Sequence, residues 1–125
     1  MIVKIKIKLY YHSMKSPIIG ITLDFENNGG YSKFPWYAIR ENYLSCLYKY
    51  GAIPFPLFHE STINSSLLKI LDGLVITGGN FDINPELYAE NDSGSRNIKD
   101  KRTKFEIDIF QKFLETTKPI LGICG

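Results

Sequence analysis

Apolar residues fall in short blocks separated by polar or glycine-bearing stretches, and the blocks alternate between two periodicities. Pro17 leads into Ile18-Ile19-Gly20-Ile21-Thr22-Leu23, a compact strand signal after a proline. Asp24 to Lys33 is polar and carries Asn28-Gly29-Gly30, which predicts a loop. Pro35 to Tyr50 predicts a helix, because proline suits a first turn and Ile39, Tyr43, Leu47 and Tyr50 recur at helical spacing. Gly51 stops it. Ala52 to Leu57 is a second extended run, confined by Pro54 and Pro56 to a sheet edge or near one. Ser61 or Thr62 caps a second helix through Leu71, with Leu67, Leu68 and Leu71 facing inward. Asp72-Gly73 breaks that helix, and Leu74-Val75-Ile76-Thr77 is a short buried strand ending at Gly78-Gly79. After a loop to about Lys101, Thr103 to Thr116 predicts a helix with Phe105, Ile109 and Phe113 on one stripe. Pro119 then opens the apolar run Ile120-Leu121-Gly122-Ile123, the pattern of a parallel strand covered on both faces.

Strand, helix, strand, helix, strand, helix, strand is the alternation of an open parallel α/β sheet. Right-handed crossovers place its helices on both faces. No internal repeat, low-complexity tract or interdomain linker interrupts the order. Residues 1–13 precede the first clear strand signal, so the expected division is an N-terminal extension over 1–13 and one domain over 14–125, with Met14 a candidate start.

Composition narrows the function classes. The chain has 125 residues, 44% of them hydrophobic, enough for one domain with an ordinary core. Fifteen basic and 13 acidic side chains leave a net charge of +2, which makes no electrostatic case for nucleic acid. The most basic part, Lys4, Lys6 and Lys8, alternates with Ile5, Ile7 and Leu9 and suits a half-exposed strand or a tail. Cys46 and Cys124 are too few for a metal site and too far apart in sequence to suggest a disulfide scaffold, so a reducing cytoplasm is expected. Cys46 lies beside the helical stripe and reads as a small buried hydrophobe. No apolar run approaches the roughly 20 residues of a membrane span, and no cofactor motif is present.

Candidate chemistry sits at two strand ends. Ligands in open α/β sheets bind beyond the carboxyl ends of the strands, where both Thr77-Gly78-Gly79 and Cys124-Gly125 should fall. A strand delivering Gly122-Ile123-Cys124-Gly125 resembles the entry to a nucleophile elbow, the sharp turn that presents a strained nucleophile. Cysteine attack on an amide carbonyl forms an oxyanion, which backbone N–H groups stabilise when a flexible turn aims them. Gly125 would supply one donor, and Gly78 or Gly79 another. The competing reading is that Gly78-Gly79 is only a turn and Cys124 only an interior thiol.

The stretch from Leu71 to Tyr88, with Asp72-Gly73-Leu74-Val75-Ile76-Thr77-Gly78-Gly79-Asn80-Phe81-Asp82 and Pro85 within it, resembles the gamma-glutamyl-gamma-aminobutyrate hydrolase family. These are class I glutamine amidotransferase-like proteins, also grouped as C26 peptidases. Pro17 to Thr22, Tyr43 to Pro54, and Arg102 to Asp108 followed by Pro119 to Cys124 resemble further segments of the family in the same order. The resemblance implies a flavodoxin-like sheet and hydrolysis of a small-molecule gamma-glutamyl amide through a thioester on the cysteine. It places the nucleophile at Cys124 and the oxyanion donors at Gly78, Gly79 and Gly125.

The family's histidine and acidic residue match nothing here: His12 precedes the family-like region, and His59 reads as a surface or loop histidine. A free thiol is only a few per cent thiolate at neutral pH without such a base or a helix N-terminus. The expectation is therefore the N-terminal part of such a hydrolase, truncated after the strand that carries the nucleophile and inactive alone. Two rivals stand beside it. One is an interaction module, a half-domain that docks onto a separately encoded C-terminal half carrying the histidine and a Glu or Asp. The other is an active enzyme of which these residues are one part.

Overall fold

The computed structural model describes residues 15–60 and 65–124. The expected extension over 1–13, the Met14 start, the lysine alternation, His12, the Ser61 or Thr62 cap and Gly125 lie outside the described residues.

Four parallel strands form the central sheet: β1 (Ile18–Thr22), β4 (Ile53–Leu57), β5 (Gly73–Ile76) and β6 (Ile120–Gly122), in the order β4-β1-β5-β6. Here β2 (Asp24–Glu26) and β3 (Trp36–Ala38) form a separate antiparallel pair. This central order is that of the first four strands of a flavodoxin-like α/β sheet. β1 pairs in register with β4 on one side (Ile19 with Pro54) and with β5 on the other (Gly20 with Leu74). Pro54 and Pro56 cannot donate to a ladder, and β4 accordingly takes an edge.

The helices are α1 (Glu41–Lys49), α2 (Ser65–Ile70) and α3 (Asp100–Leu114), with a short 3-10 turn at Pro85–Tyr88. Strand alternation splits the sheet's apolar residues between its faces. Leu57 and Leu74 pack with Phe105, Ile109 and Phe113 of α3, with Leu67 and Leu68 of α2 against them. Leu71, just past α2, is fully buried in the same cluster. Ile21 and Val75 point the other way, toward Tyr43 and Leu47 of α1. The carbonyls left unpaired at the end of α2 are satisfied by Lys118, whose Nζ donates to Leu68 O at 2.6 Å and Leu71 O at 2.5 Å.

Several expectations need correction. The helix predicted from Pro35 begins at Glu41, and Trp36–Ala38 is a strand. A proline's fixed φ suits extended backbone as well as a helix start. The hairpin it enters is held by the Phe25 and Tyr37 rings, cross-strand partners 5.2 Å apart. Cys46 is exposed rather than buried, because α1 buries none of its residues and its inner side faces an open apolar groove of about 220 Å³. The terminal strand, expected to be covered on both faces, is an edge strand among the described residues, and Leu121 is 55% exposed.

Candidate functional site

The two glycine-bearing turns meet. β5 ends at Ile76 and β6 at Gly122, and a further bond from Ile123 N to Ile76 O (2.9 Å) carries their pairing past both ends. That pairing brings Gly78 against the chain leaving β6. A Cβ built on Gly78 would lie 2.8 Å from Ile123 O, 2.9 Å from Cys124 Cβ and 3.6 Å from Cys124 Sγ. Only glycine fits this contact, since real Cβ atoms do not approach so closely.

Cys124 itself is exposed and adopts φ +60°. Among the described residues, only Ala89 and Asn97 share a positive φ without being glycine. Such a backbone is costly for a residue with a Cβ, by about 1–3 kcal/mol, and is characteristic of functional turns. It turns the cysteine outward at the strand's end, where a nucleophile elbow presents its side chain.

The other wall is a buried ionic cluster that sequence reasoning missed. Arg102, on the first turn of α3, is 0% exposed. Its Nη2 donates to Thr77 O, to Thr77 Oγ1 at 3.1 Å and to Gly78 O at 3.3 Å. Its Nη1 reaches Asp24 Oδ1 at 3.2 Å, and its Nε reaches Glu106 Oε1 at 3.0 Å. The guanidinium also lies over the Phe81 ring, 4.4 Å from its centroid. Gly79 has no room for a side chain because Phe81 and Arg102 Nη1 occupy that space, at 2.7 and 3.0 Å from where a Cβ would be. Thr22 completes the cluster: its hydroxyl donates to Glu106 Oε1 at 2.6 Å and accepts from Thr77 N at 3.0 Å.

Burial raises the carboxyl pKa of Glu106 by more than the bonds from Thr22 and Arg102 lower it. Burial also pushes Asp24 up, but there the Lys99 and Phe25 N–H bonds, with the charges of Lys99 and Arg102, prevail and hold it below its ordinary value. Lys99 bridges Asp24 at 2.8 Å and Glu26 at 2.6 Å, tying the short hairpin to the head of α3. Next to this cluster, a cavity of about 210 Å³ opens between Asp24, Arg40, Tyr43 and the Thr77-Gly78-Gly79 turn.

His59 is 6% exposed, a buried side chain where a surface one was expected. Its ring stacks on Phe105 at 5.1 Å and meets the edge of Tyr37 at 5.0 Å, while Nε2 bonds Leu23 O at 2.8 Å. These contacts pin the hairpin to α3 and commit the ring to that task. Burial lowers its pKa by more than the Leu23 carbonyl raises it, and the charges of Arg102 and Lys101 act in the same direction. Among the described residues, no group of three His, Cys, Asp or Glu is placed to hold a metal ion, and no helix is long and apolar enough to cross a membrane.

The site thus joins a positive-φ cysteine, a glycine turn packed against it and an arginine bonded behind that turn. The Peptidase C26 family model matches residues 17–125. A putative glutamine amidotransferase-like protein, RP404, from Rickettsia prowazekii (strain Madrid E) is 40% identical over 114 residues, covering 88% of this chain and 41% of its own length. The putative glutamine amidotransferase-like protein YvdE homolog of Lactococcus lactis subsp. cremoris is 32% identical over 112 residues, 86% of this chain and 59% of its own. The gamma-glutamyl-gamma-aminobutyrate hydrolase PuuD of Escherichia coli (strain K12) is 28% identical over 114 residues, 89% of this chain and 43% of its own. The chain thus spans between 41% and 59% of the length of these relatives.

Proposed function

Since the chain belongs to the Peptidase C26 family, we propose that it is the nucleophile-bearing N-terminal part of a gamma-glutamyl amide hydrolase. The observation that carries this reading is Cys124 at φ +60°, seated against Gly78. In the proposed reaction the Cys124 thiolate attacks the carbonyl carbon of the gamma-glutamyl amide. The carbonyl oxygen becomes an oxyanion facing the N–H groups of the Gly78-Gly79 turn and of Gly125. Collapse expels the amine, which takes up a proton, and leaves a thioester on Cys124. Water then hydrolyses the thioester and returns the thiolate. No cofactor enters these steps.

The proton transfers need a base and an acid. His59 is buried, with Nε2 bonded to Leu23 O and its ring packed on Tyr37 and Phe105, and the proposal does not assign it that role. In the proposed reaction, as the family resemblance implies, a histidine and its acidic partner come from later in the protein, and the 125 residues alone are expected to hydrolyse neither glutamine nor gamma-glutamyl amides. The family match beginning at residue 17 supports reading 14–125 as the domain and 1–13 as an extension. Two free cysteines, Cys46 and Cys124, suit a reducing cytoplasm.

Joining this chain to a C-terminal portion that carries the histidine and acid should produce turnover of a gamma-glutamyl amide. That turnover should vanish on Cys124→Ser and survive Cys46→Ser. Activity that persists without Cys124 would remove it as nucleophile, and Cys124-dependent turnover by residues 1–125 alone would remove the requirement for outside partners.

A second reading, that the chain is a half-domain docking onto a separate C-terminal half, is favoured by one observation. Among the described residues, β6 leaves an open strand edge, with Leu121 exposed beside the apolar groove along α1. Titration with such a half, followed by co-purification, would test it.

A further inference from the structure

We propose that Arg102 is the positioning residue that aims the backbone N–H groups of Gly78 and Gly79 toward the sulfur of Cys124. This rests on reading the Gly78-Gly79 turn as an oxyanion-binding turn. In a trans peptide the C=O and the following N–H point in opposite directions. Holding Thr77 O therefore aims Gly78 N–H away from the guanidinium, and holding Gly78 O does the same for Gly79 N–H. Arg102 Nη2 holds both carbonyls.

Glycine has unusual freedom to rotate these two peptides, so an aimed pair of donors needs an external brace. The brace is rigid. Asp24 and Glu106 hold two further corners of the guanidinium, Phe81 covers its face, and the site for a Gly79 side chain is filled by Nη1. Thr77 is fixed at its other end as well, its N–H donating to Thr22 Oγ1 and its hydroxyl to Thr22 O at 3.0 Å. A cation on the two carbonyls also polarises their peptides, which makes the outward N–H groups stronger donors.

The test compares two reactions of one sulfur, in the whole chain carrying Cys46→Ser. With p-nitrophenyl acetate, the thiolate attacks the ester carbonyl, an oxyanion forms, and p-nitrophenolate leaves as the S-acyl bond is made. With iodoacetamide, the same thiolate displaces iodide from a saturated carbon and no oxyanion forms. The ratio of the two rates, divided by that of a small free thiol at the same pH, reports oxyanion stabilisation independently of how much thiolate is present. The ratio should exceed the free-thiol value in the parent chain. In Arg102→Met and Arg102→Lys it should fall by about tenfold or more, given the 10²–10³ typical of losing a whole donor.

Arg102→Met leaves Asp24 and Glu106 without their shared cation. If it unfolds, Arg102→Lys, which keeps a positive charge there but not the fork, decides. A parent excess that survives in the folded variants overturns the role of Arg102 and leaves the oxyanion turn standing. A parent chain with no excess at all overturns the oxyanion reading and this proposal with it.

Discussion

Gly78 and Cys124 pack so closely that a methyl group on the glycine would lie 2.9 Å from the cysteine's Cβ and 2.8 Å from the backbone oxygen before it. The neighbour on one side is main chain, which cannot swing away as a side chain does. Gly78→Ala should therefore destabilise the protein by about 1–3 kcal/mol, as overpacking does. It should also push the turn off Cys124. Gly122→Ala is the control, because a Cβ there meets nothing within 4 Å. Paired urea denaturation curves check the prediction, and equal midpoints for the two variants would refute it.

The core on the α3 face should respond steeply to truncation. Phe113 is 0% exposed and Phe110, three residues earlier on the same helix, is 39% exposed. Phe113→Ala should cost about 3–5 kcal/mol by transfer and cavity terms together. Phe110→Ala should cost much less, because part of that ring is already in water. Thermal melts of both variants separate the cases.

Stability should fall with acidification below about pH 6.5, and His59 should cause that fall. Its imidazole pKa is lowered on folding from the ordinary 6.5. Between the lowered value and 6.5, the unfolded chain binds a proton that the folded chain excludes. The contribution is thus complete above pH 6.5 and is lost as pH falls through the folded pKa. His59→Gln, which offers Leu23 O an amide donor but does not titrate, should flatten this part of the curve. Urea midpoints measured at pH 7.5 and 5.5 on both proteins provide the check. Asp24, also lowered, acts in the same direction only at more acidic pH, whereas Glu106, raised by burial, acts in the opposite direction and is common to both proteins compared.

The open side of β6 should make the isolated chain self-associate. Its strand edge is unpaired among the described residues, and Leu121 is more than half exposed. Exposed apolar edges template pairing with other chains, and an edge lysine suppresses it. Leu121→Lys should lower the light-scattering mass at equal concentration while leaving circular dichroism unchanged. A parent chain that stays monomeric with one sharp unfolding transition would count against this.

Where a periodicity was strong, sequence and structure agree. Ile18–Thr22 and the stripe of Phe105, Ile109 and Phe113 are found where their patterns predict, and the strand expected at Leu74–Thr77 lies one residue earlier, at Gly73–Ile76. The β2–β3 hairpin was illegible because three residues per strand are too few to show alternation. Its stability comes from elsewhere, through Lys99 clasping Asp24 and Glu26. His59 was misread because a single histidine in a loop gives no pattern, and only the tertiary stacking of Tyr37 and Phe105 buries it.

Arg102 did leave a trace. Positions 102, 106, 109 and 113 share one helical face, so Arg102 and Glu106 stand on the apolar stripe of α3 as an i,i+4 pair. Charges of opposite sign on a buried stripe are a signal that periodicity alone reads as noise. Cys124 and Gly78-Gly79 were visible as types of residue at strand ends, but their contact depends on the register of β5 with β6.

The bonds from Arg102 to the glycine turn also span a gap in synthesis. Thr77 and Arg102 are 25 residues apart, and Thr22 and Glu106 are 84 apart. At about 5–20 residues per second, the turn emerges from the ribosome a second or more before its guanidinium. During that interval Thr22 can already hold Thr77, since both have been made, but the two carbonyls face solvent. The arginine arrives on the helix that shields the sheet, so covering the core and aiming the turn are a single event.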